Sequence, residues 1–253
     1  MWLAVCGTVV AFTVIFHWYV SRVRQSVSCR RHQQTTTNHV QTAPASPPCS
    51  VNPGVIEGER ALIIVAHPDD ECMFFAPTII QLLRRSIDVH LLCLSSGNYR
   101  KEGLARKVEL RRSCQTLGIP LGNITVVEHT KLPDDPTLLW NKQTIRDVVL
   151  KYVEKMTIDI VISFDDLGVS GHMNHVAIHR ALQHMYAKGM FPKGTSVFAL
   201  QSVNVLRKYI GLFDCWISFL DGSTHVLMTG YFDIWRAQRA FLAYRSQLTW
   251  YRL

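Results

Sequence analysis

His67-Pro68-Asp69-Asp70-Glu71 sets an imidazole and three carboxylates directly after the apolar run Ala61-Leu62-Ile63-Ile64-Val65-Ala66. The run reads as a buried strand, so the cluster falls at the strand's carboxyl end. Burying such a cluster is costly unless its groups are paired or bind a cation. Pro68 lacks the N–H that a sheet ladder needs, so the chain must leave the sheet here. Asp69 and Asp70 are adjacent and cannot face the same way on regular structure. One can bind a metal while its neighbour points into the site as a base. A catalytic zinc takes three protein ligands and keeps a position open for water. His67 and Asp70 supply two ligands, and the third must come from elsewhere in the chain.

The best donor segment is Gly168-Val169-Ser170-Gly171-His172-Met173-Asn174-His175, which follows an apolar run ending at Ser163-Phe164. Asn174 is a natural N-cap for a helix running from His175 to His184. That puts His172 and His175 on the helix-entry loop, facing the His67 loop. One could be a ligand and the other an acid or an oxyanion donor. His175 and His179 are spaced like a zincin pair but lack the glutamate of that motif, so His179 reads as helix packing. Asp165-Asp166 and Asp134-Asp135 are further carboxylate pairs. The second lies between Pro133 and Pro136 and reads as a turn.

The elements that must position these residues alternate along the chain. Strands are expected at 61–66, 88–94, 123–127 and 158–163, with helices at 70–86, 103–117, 141–156 and 174–188. One or two more strands follow, at 196–200 and 224–229, and a closing helix begins near 232. Strands separated by helices of this length predict an α/β fold, a Rossmann-like, mostly parallel sheet with helices on both faces. Ligands of such sheets sit outside the carboxyl ends of the strands, where both histidine motifs fall.

Three segments are expected: a membrane anchor at 1–21, a flexible basic and proline-rich stalk at 22–58, and the α/β domain at 59–253. Trp2 to Val20 has no Asp, Glu, Lys or Arg, and as a helix it spans roughly 28 Å, close to the hydrocarbon thickness. Arg22, Arg24, Arg30 and Arg31 follow it, whereas a cleaved signal peptide has its basic residues first. The positive-inside rule then puts the bulk of the chain in the cytosol, with Trp18 and Tyr19 at the interface. Residues 26–54 are rich in Ser, Thr, Gln, Asn and Pro and cannot bury enough apolar area to offset their ordering entropy. Seven cysteines, an odd number with no CxxC pair, argue against a disulfide framework and for a reducing compartment. The net charge of +8 allows an anionic partner, but no nucleic-acid-binding motif is present, which leaves a membrane surface or an anionic substrate. Asn123-Ile124-Thr125 is a glycosylation sequon that a cytosolic domain would leave unmodified.

Ala66-His67-Pro68-Asp69-Asp70-Glu71 after the first strand, with His172-x-x-His175 later, resembles the zinc-dependent N-deacetylases that act on N-acetylglucosamine conjugates. Met73-Phe74-Phe75-Ala76-Pro77, Val169-Ser170-Gly171-His172 and Leu200 to Tyr209 are most similar to the glycolipid-acting branch of that family, and the similarity extends over residues 60–253. The resemblance implies hydrolysis of the N-acetyl group of N-acetylglucosaminyl-phosphatidylinositol, the second step of GPI anchor synthesis, on the cytosolic face of the endoplasmic reticulum. It implies zinc bound by His67, Asp70 and His175, with Asp69 as general base and His172 stabilising the oxyanion or protonating the leaving amine. A His2Asp set also suits Fe²⁺ or Mn²⁺. Arg106, in an Arg-x-x-Glu helix start, is implied to contact substrate, and Arg106 or Arg100 could meet the inositol phosphate. Many relatives carry a histidine where this chain has Tyr244, so no metal or acid role follows for that position. Two rival functions are a deacetylase for a soluble N-acetylglucosamine conjugate and a membrane-tethered binding protein with a structural metal.

Overall fold

The computed structural model describes residues 25–28, 56–203, 225–227 and 230–248. The apolar run Trp2–Val20 and residues 29–55 of the expected stalk lie outside the described residues, as do residues 204–209. Among the described residues no helix is long and apolar enough to cross a membrane.

Seven strands form one sheet: β1 Gln25–Ser28, β2 Arg60–Val65, β3 Asp88–Cys93, β4 Ile124–Val126, β5 Ile160–Phe164, β6 Ser196–Leu200 and β7 His225–Leu227. Their order across it is β4-β3-β2-β5-β6-β1-β7. The first five in that order run parallel, as expected of strands joined through helices. Gln25–Ser28 was expected in the flexible stalk but forms a strand, antiparallel to both β6 and β7. Its backbone satisfies ladder groups that these two strands would otherwise leave open. Val27 lies opposite Leu200, the last residue of β6, so β1 enters the sheet from the carboxyl end of the parallel strands.

The helices are α1 Asp70–Met73, α2 Ala76–Arg84, α3 Gly103–Leu117, α4 Lys142–Met156, α5 Gly168–Gly171, α6 Met173–Ala187 and α7 Tyr231–Phe241. They pack in two groups, with α1, α2, α3 and α7 in one and α4 against α6 in the other. Helix α4 shows why the pattern was legible. Asn141 caps it by accepting from the Gln143 N–H, and Ile145, Val149 and Val153 bury one stripe. The single helix expected over 70–86 is instead two, interrupted at Phe74-Phe75. Pro77 sits in the first turn of the second, where its missing N–H costs nothing. Phe75 turns into the core against Phe164, ring centroids 5.1 Å apart.

β2 and β5 are the deepest strands, and Ala61 to Ala66 are 0–2 % exposed. Hydroxyls lock the ends of these strands together: Ser163 Oγ donates to Ile64 O and Ser95 Oγ to Ala66 O, both at 2.8 Å. The histidine loops therefore leave a rigid, fully packed platform. Cys72, Cys93 and Cys114 are free and buried, and burial pushes all three thiols up, so they pack as small apolar groups.

Candidate active site

The first loop folds back on its own strand. Asp70 Oδ2 accepts the backbone N–H groups of Ala66 (3.0 Å) and His67 (2.9 Å), capping the end of β2. Asp69, between them, has φ 109°, a conformation that few non-glycine residues adopt. Surrounding groups hold it there. Its N–H donates to Glu71 Oε2 at 3.1 Å and its carbonyl accepts from the Cys72 thiol. Glu71 in turn receives the Ser113 and Tyr244 hydroxyls. Burial pushes the Glu71 carboxyl up to about 7 against the pull of those two hydroxyls. This positive-φ turn lets Asp69 and Asp70 face one cavity, which two adjacent residues on regular structure could not do.

The second loop is held from the far side of the sheet. Asp165 accepts from Ser202 N and Ser202 Oγ, and Ser202 Oγ accepts from Val169 N. Val169, a β-branched residue at φ 58°, is the strained point of this turn. Asn174 was expected to cap the following helix, but His172 does so, with its Nδ1 accepting the Asn174 N–H at 3.3 Å. Asn174 is fully buried. The His175 ring stacks on Phe164 at a centroid distance of 3.9 Å, and Nδ1 meets Gly168 O at 2.9 Å.

The two loops meet. One nitrogen from each of His67, His172 and His175 lies within 4.8 Å of the others, spacing that suits a metal ion. Asp70 stands among them, with Oδ1 3.4 Å from His175 Nε2 and Oδ2 3.8 Å from His67 Nδ1. The partners of each ring fix which nitrogen presents a lone pair. His175 donates Nδ1–H to Gly168 O, so Nε2 faces Asp70 as an acceptor. His67 Nε2 lies 3.1 Å from Asp134 Oδ1. A donor is needed there, which leaves Nδ1 bare on the Asp70 side. Asn174 Nδ2 is also 3.1 Å from that Nε2, while its Oδ1 is buried without a hydrogen-bond partner. An amide flip lets Oδ1 accept from the ring instead. His172 differs from the other two rings. Its Nδ1 accepts from the backbone, so the proton of the neutral ring is on Nε2 and that nitrogen is a donor.

The charges agree with these roles. Burial pushes the Asp70 carboxyl up, but His175 and His67 outweigh it and hold the group well below the usual carboxylate range. Burial pulls His175 down and Asp70 more than reverses that, drawing onto Nε2 a proton that a bound cation would displace. Burial and the neighbouring His67 and His175 push His172 down to about 4, so it is neutral near pH 7. Two imidazole nitrogens with an anionic carboxylate beside them are a donor set whose chemistry fits a divalent cation.

The cluster opens into a cavity of about 410 Å³, whose wall includes His67, Asp69, Asp70, Arg100, Arg106, Asp134, His172 and His175. Every site residue expected from the sequence lines this one cavity. Arg106 is buried. Its Nη2 donates to Pro68 O and lies 3.3 Å from Asp69 Oδ2, and its Nη1 donates to Gly97 O at 3.0 Å. Much of its donor capacity therefore goes to holding the Pro68-Asp69 turn. Arg100 is exposed at the rim. His179 meets Phe164 O at 3.1 Å and joins helix to strand.

Two residues of the site were not read as such. Asp135 does make the expected turn, accepting from Thr137 N and Oγ1. Asp134 does not belong to that turn. It reaches His67, accepts the Tyr99 N–H at 3.0 Å and lies 3.8 Å from Arg106 Nη1. Nothing in the local sequence separates it from its neighbour. Asn174 was read as a cap because its position between two site histidines also suits a helix start. Ser246 and Gln247 complete the wall from the far end of the chain, held by Glu109 and Glu102 on or beside α3.

Residues 62–186 match the GlcNAc-PI de-N-acetylase (PIG-L) family. The chain is 47 % identical over 195 residues to the N-acetylglucosaminyl-phosphatidylinositol de-N-acetylase of Bos taurus, covering 77 % of each chain. It is 30 % identical over 223 residues to the probable enzyme of that name from Dictyostelium discoideum, covering 77 % of this chain and 86 % of that one. Among solved structures, the A40926 pseudoaglycone deacetylase Dbv21 shares the fold, with TM-score 0.54 and 13 % identity over 77 % of this chain and 84 % of that one. With both histidine motifs meeting at one cavity, and close relatives matched over three quarters of its length, this chain belongs to the PIG-L family of GlcNAc-PI de-N-acetylases.

Proposed function

We propose that this protein hydrolyses the N-acetyl group of N-acetylglucosaminyl-phosphatidylinositol to give glucosaminyl-phosphatidylinositol and acetate, the second step of GPI anchor biosynthesis. The observation that carries the reading is the meeting of the His67 and His172 loops around one polar cavity, in a chain of this family. His67 Nδ1, His175 Nε2 and the Asp70 carboxylate would hold the cation. Zinc is the proposed ion, and Fe²⁺ or Mn²⁺ suits the same donors. When bound, such an ion polarises a carbonyl and lowers the pKa of water towards about 7.

The remaining chemistry belongs to the chain. Asp69, its carboxylate beside the Arg106 guanidinium, accepts the proton of the water as its oxygen attacks the acetamide carbon. His172, neutral and with Nε2–H as its donor, hydrogen-bonds the carbonyl oxygen as negative charge develops there. A neutral ring pushed down to about 4 suits hydrogen-bond donation better than proton delivery. The proton held by Asp69 then passes to the glucosamine nitrogen as the C–N bond breaks, and acetate leaves. Asp69 thus ends the cycle ionised, as it began.

The run Trp2–Val20, with no Asp, Glu, Lys or Arg and followed by Arg22, Arg24, Arg30 and Arg31, supports a single-pass anchor in the endoplasmic reticulum with the catalytic domain in the cytosol. Tethering there raises the local concentration of a lipid substrate.

The test is acetate release from N-acetylglucosaminyl-phosphatidylinositol by membranes containing the protein, with and without chelator, beside Asp69→Asn. Chelator-sensitive release that the variant lacks is the expected result. Release from a soluble N-acetylglucosamine conjugate alone would move the substrate to that class. No release from metal-replete protein on either substrate would favour the non-catalytic binding protein.

A further inference from the structure

Six large apolar side chains stand in the open on the connections at the cavity's end of the sheet, and one of them, Tyr99, lines the cavity itself. Tyr99 (62 % exposed) follows β3, Leu104 (79 %) opens α3, Leu138 and Leu139 (49 % and 47 %) follow β4, and Leu167 and Met173 (63 % and 38 %) follow β5. All lie on or just beyond the connections that leave the carboxyl ends of parallel strands. Residues beside them in the chain, Arg100, Pro136 and His172, line the cavity. Single exposed apolar residues are ordinary on any protein. Six of them on the loops at the end of the sheet that holds a polar site mark a surface that meets something else.

Charge and chain direction say what that is. Arg100, Lys101 and Lys131 are exposed on the same loops, and of the acidic groups there Asp134 is engaged with His67, Asp165 with Ser202 and Glu128 with Lys107, which leaves Asp166 exposed and the rim net positive. Because Val27 lies opposite the last residue of β6, Gln25 is beyond the carboxyl end of the parallel strands. The chain therefore enters β1 at the same end of the sheet as the cavity mouth, four residues after the run Trp2–Val20, which has no Asp, Glu, Lys or Arg. We infer that the rim formed by Tyr99, Leu104, Leu138, Leu139, Leu167 and Met173 rests on a bilayer surface containing anionic phospholipid, so that the cavity opens into the headgroup layer. The inference rests on the lipid-borne substrate proposed above. A lipid-borne sugar then reaches Asp69 without its acyl chains leaving the membrane. Weak rim contacts suffice, because an anchored domain needs only its orientation biased.

The test uses the full chain in phosphatidylcholine–phosphatidylserine vesicles and two substrates: N-acetylglucosaminyl-phosphatidylinositol in the bilayer, and the acyl-free N-acetylglucosaminyl-inositol phosphate in solution. The combined variant Leu104→Ser, Leu138→Ser, Leu139→Ser, Leu167→Ser should lose about tenfold or more in kcat/KM on the bilayer substrate and keep its rate on the soluble one. Equal effects on both substrates, including no effect on either, would overturn the docking surface. Wild-type turnover of the soluble compound alone would overturn it and leave the deacetylase reading standing. Turnover of neither defeats the substrate reading and the docking surface with it. Hydrogen exchange gives a readout independent of turnover. Peptides covering 98–104, 136–139 and 166–173 should exchange more slowly in vesicles than in amphipol, while 118–123 at the opposite end should not change. Identical exchange in the two media would contradict the inference.

Discussion

At the residue scale the site depends on which atom each side chain has left to offer. Asp69 and Asp70 share charge and length but not partners. Asp70 spends one oxygen on two backbone N–H groups and keeps the other beside His175. Asp69 lies against Arg106 at the cavity wall. Asp69→Asn should therefore bind metal stoichiometrically while kcat falls by about 10²–10⁴. The test is clean because Asn also tolerates positive φ. His175→Ala should lose the metal itself, as measured by metal content after dialysis, and retained stoichiometric metal would remove it from the ligand set. Asp134 acts through the other nitrogen of His67. Asp134→Ala should weaken metal affinity by about 10–100-fold in a competition titration, and unchanged affinity would return Asp134 to being a mere turn residue.

At the scale of elements, two loops on adjacent strands carry the chemistry and helices from one side of the sheet hold the first of them. Arg106, on α3, ties the Pro68 carbonyl and the Asp69 carboxylate to the loop after β3 through Gly97. Gly97 has φ 68°, and a Cβ there would collide with the Arg106 guanidinium. Gly97→Ala should therefore cost about 1–3 kcal/mol in stability and depress kcat more than KM, because the guanidinium must leave Asp69, the proposed base. Thermal melting beside steady-state kinetics checks this, and a variant with wild-type kcat would show that Arg106 does not position Asp69. Glu71 does comparable work from inside, with Ser113 of α3 and Tyr244 after α7 both donating to it. Tyr244 is fully buried and serves the loop's support.

At the scale of the whole molecule, the proposed anchor predicts a membrane topology with the domain on the cytosolic side. Asn123-Ile124-Thr125 offers a weaker test than its sequence promises. Asn123 Nδ2 already donates to Asp88 Oδ1 at 2.7 Å and to Val89 O at 3.2 Å, so a missing glycan there would reflect engagement as well as location. A sequon in a short tail added after Leu253 avoids that conflict. It should stay unglycosylated in microsomes if the domain is cytosolic, whereas an endoglycosidase-sensitive shift would place it in the lumen.

The chain's local patterning was enough to specify the parallel sheet, the helices between its strands and the two histidine motifs at strand ends. Those signals depend on hydrophobic period and on motif spacing, both written into short stretches of sequence. The break at Phe74-Phe75, the capping role of His172 and the recruitment of Asp134 and Asn174 depend on contacts between segments far apart in the chain. Asp134 lies 67 positions from His67 in sequence yet 3.1 Å away in space, and no local pattern encodes such a meeting. Tertiary packing also decided which nitrogen of each histidine faces the cavity, because a ring's tautomer follows from the partner that its other nitrogen finds.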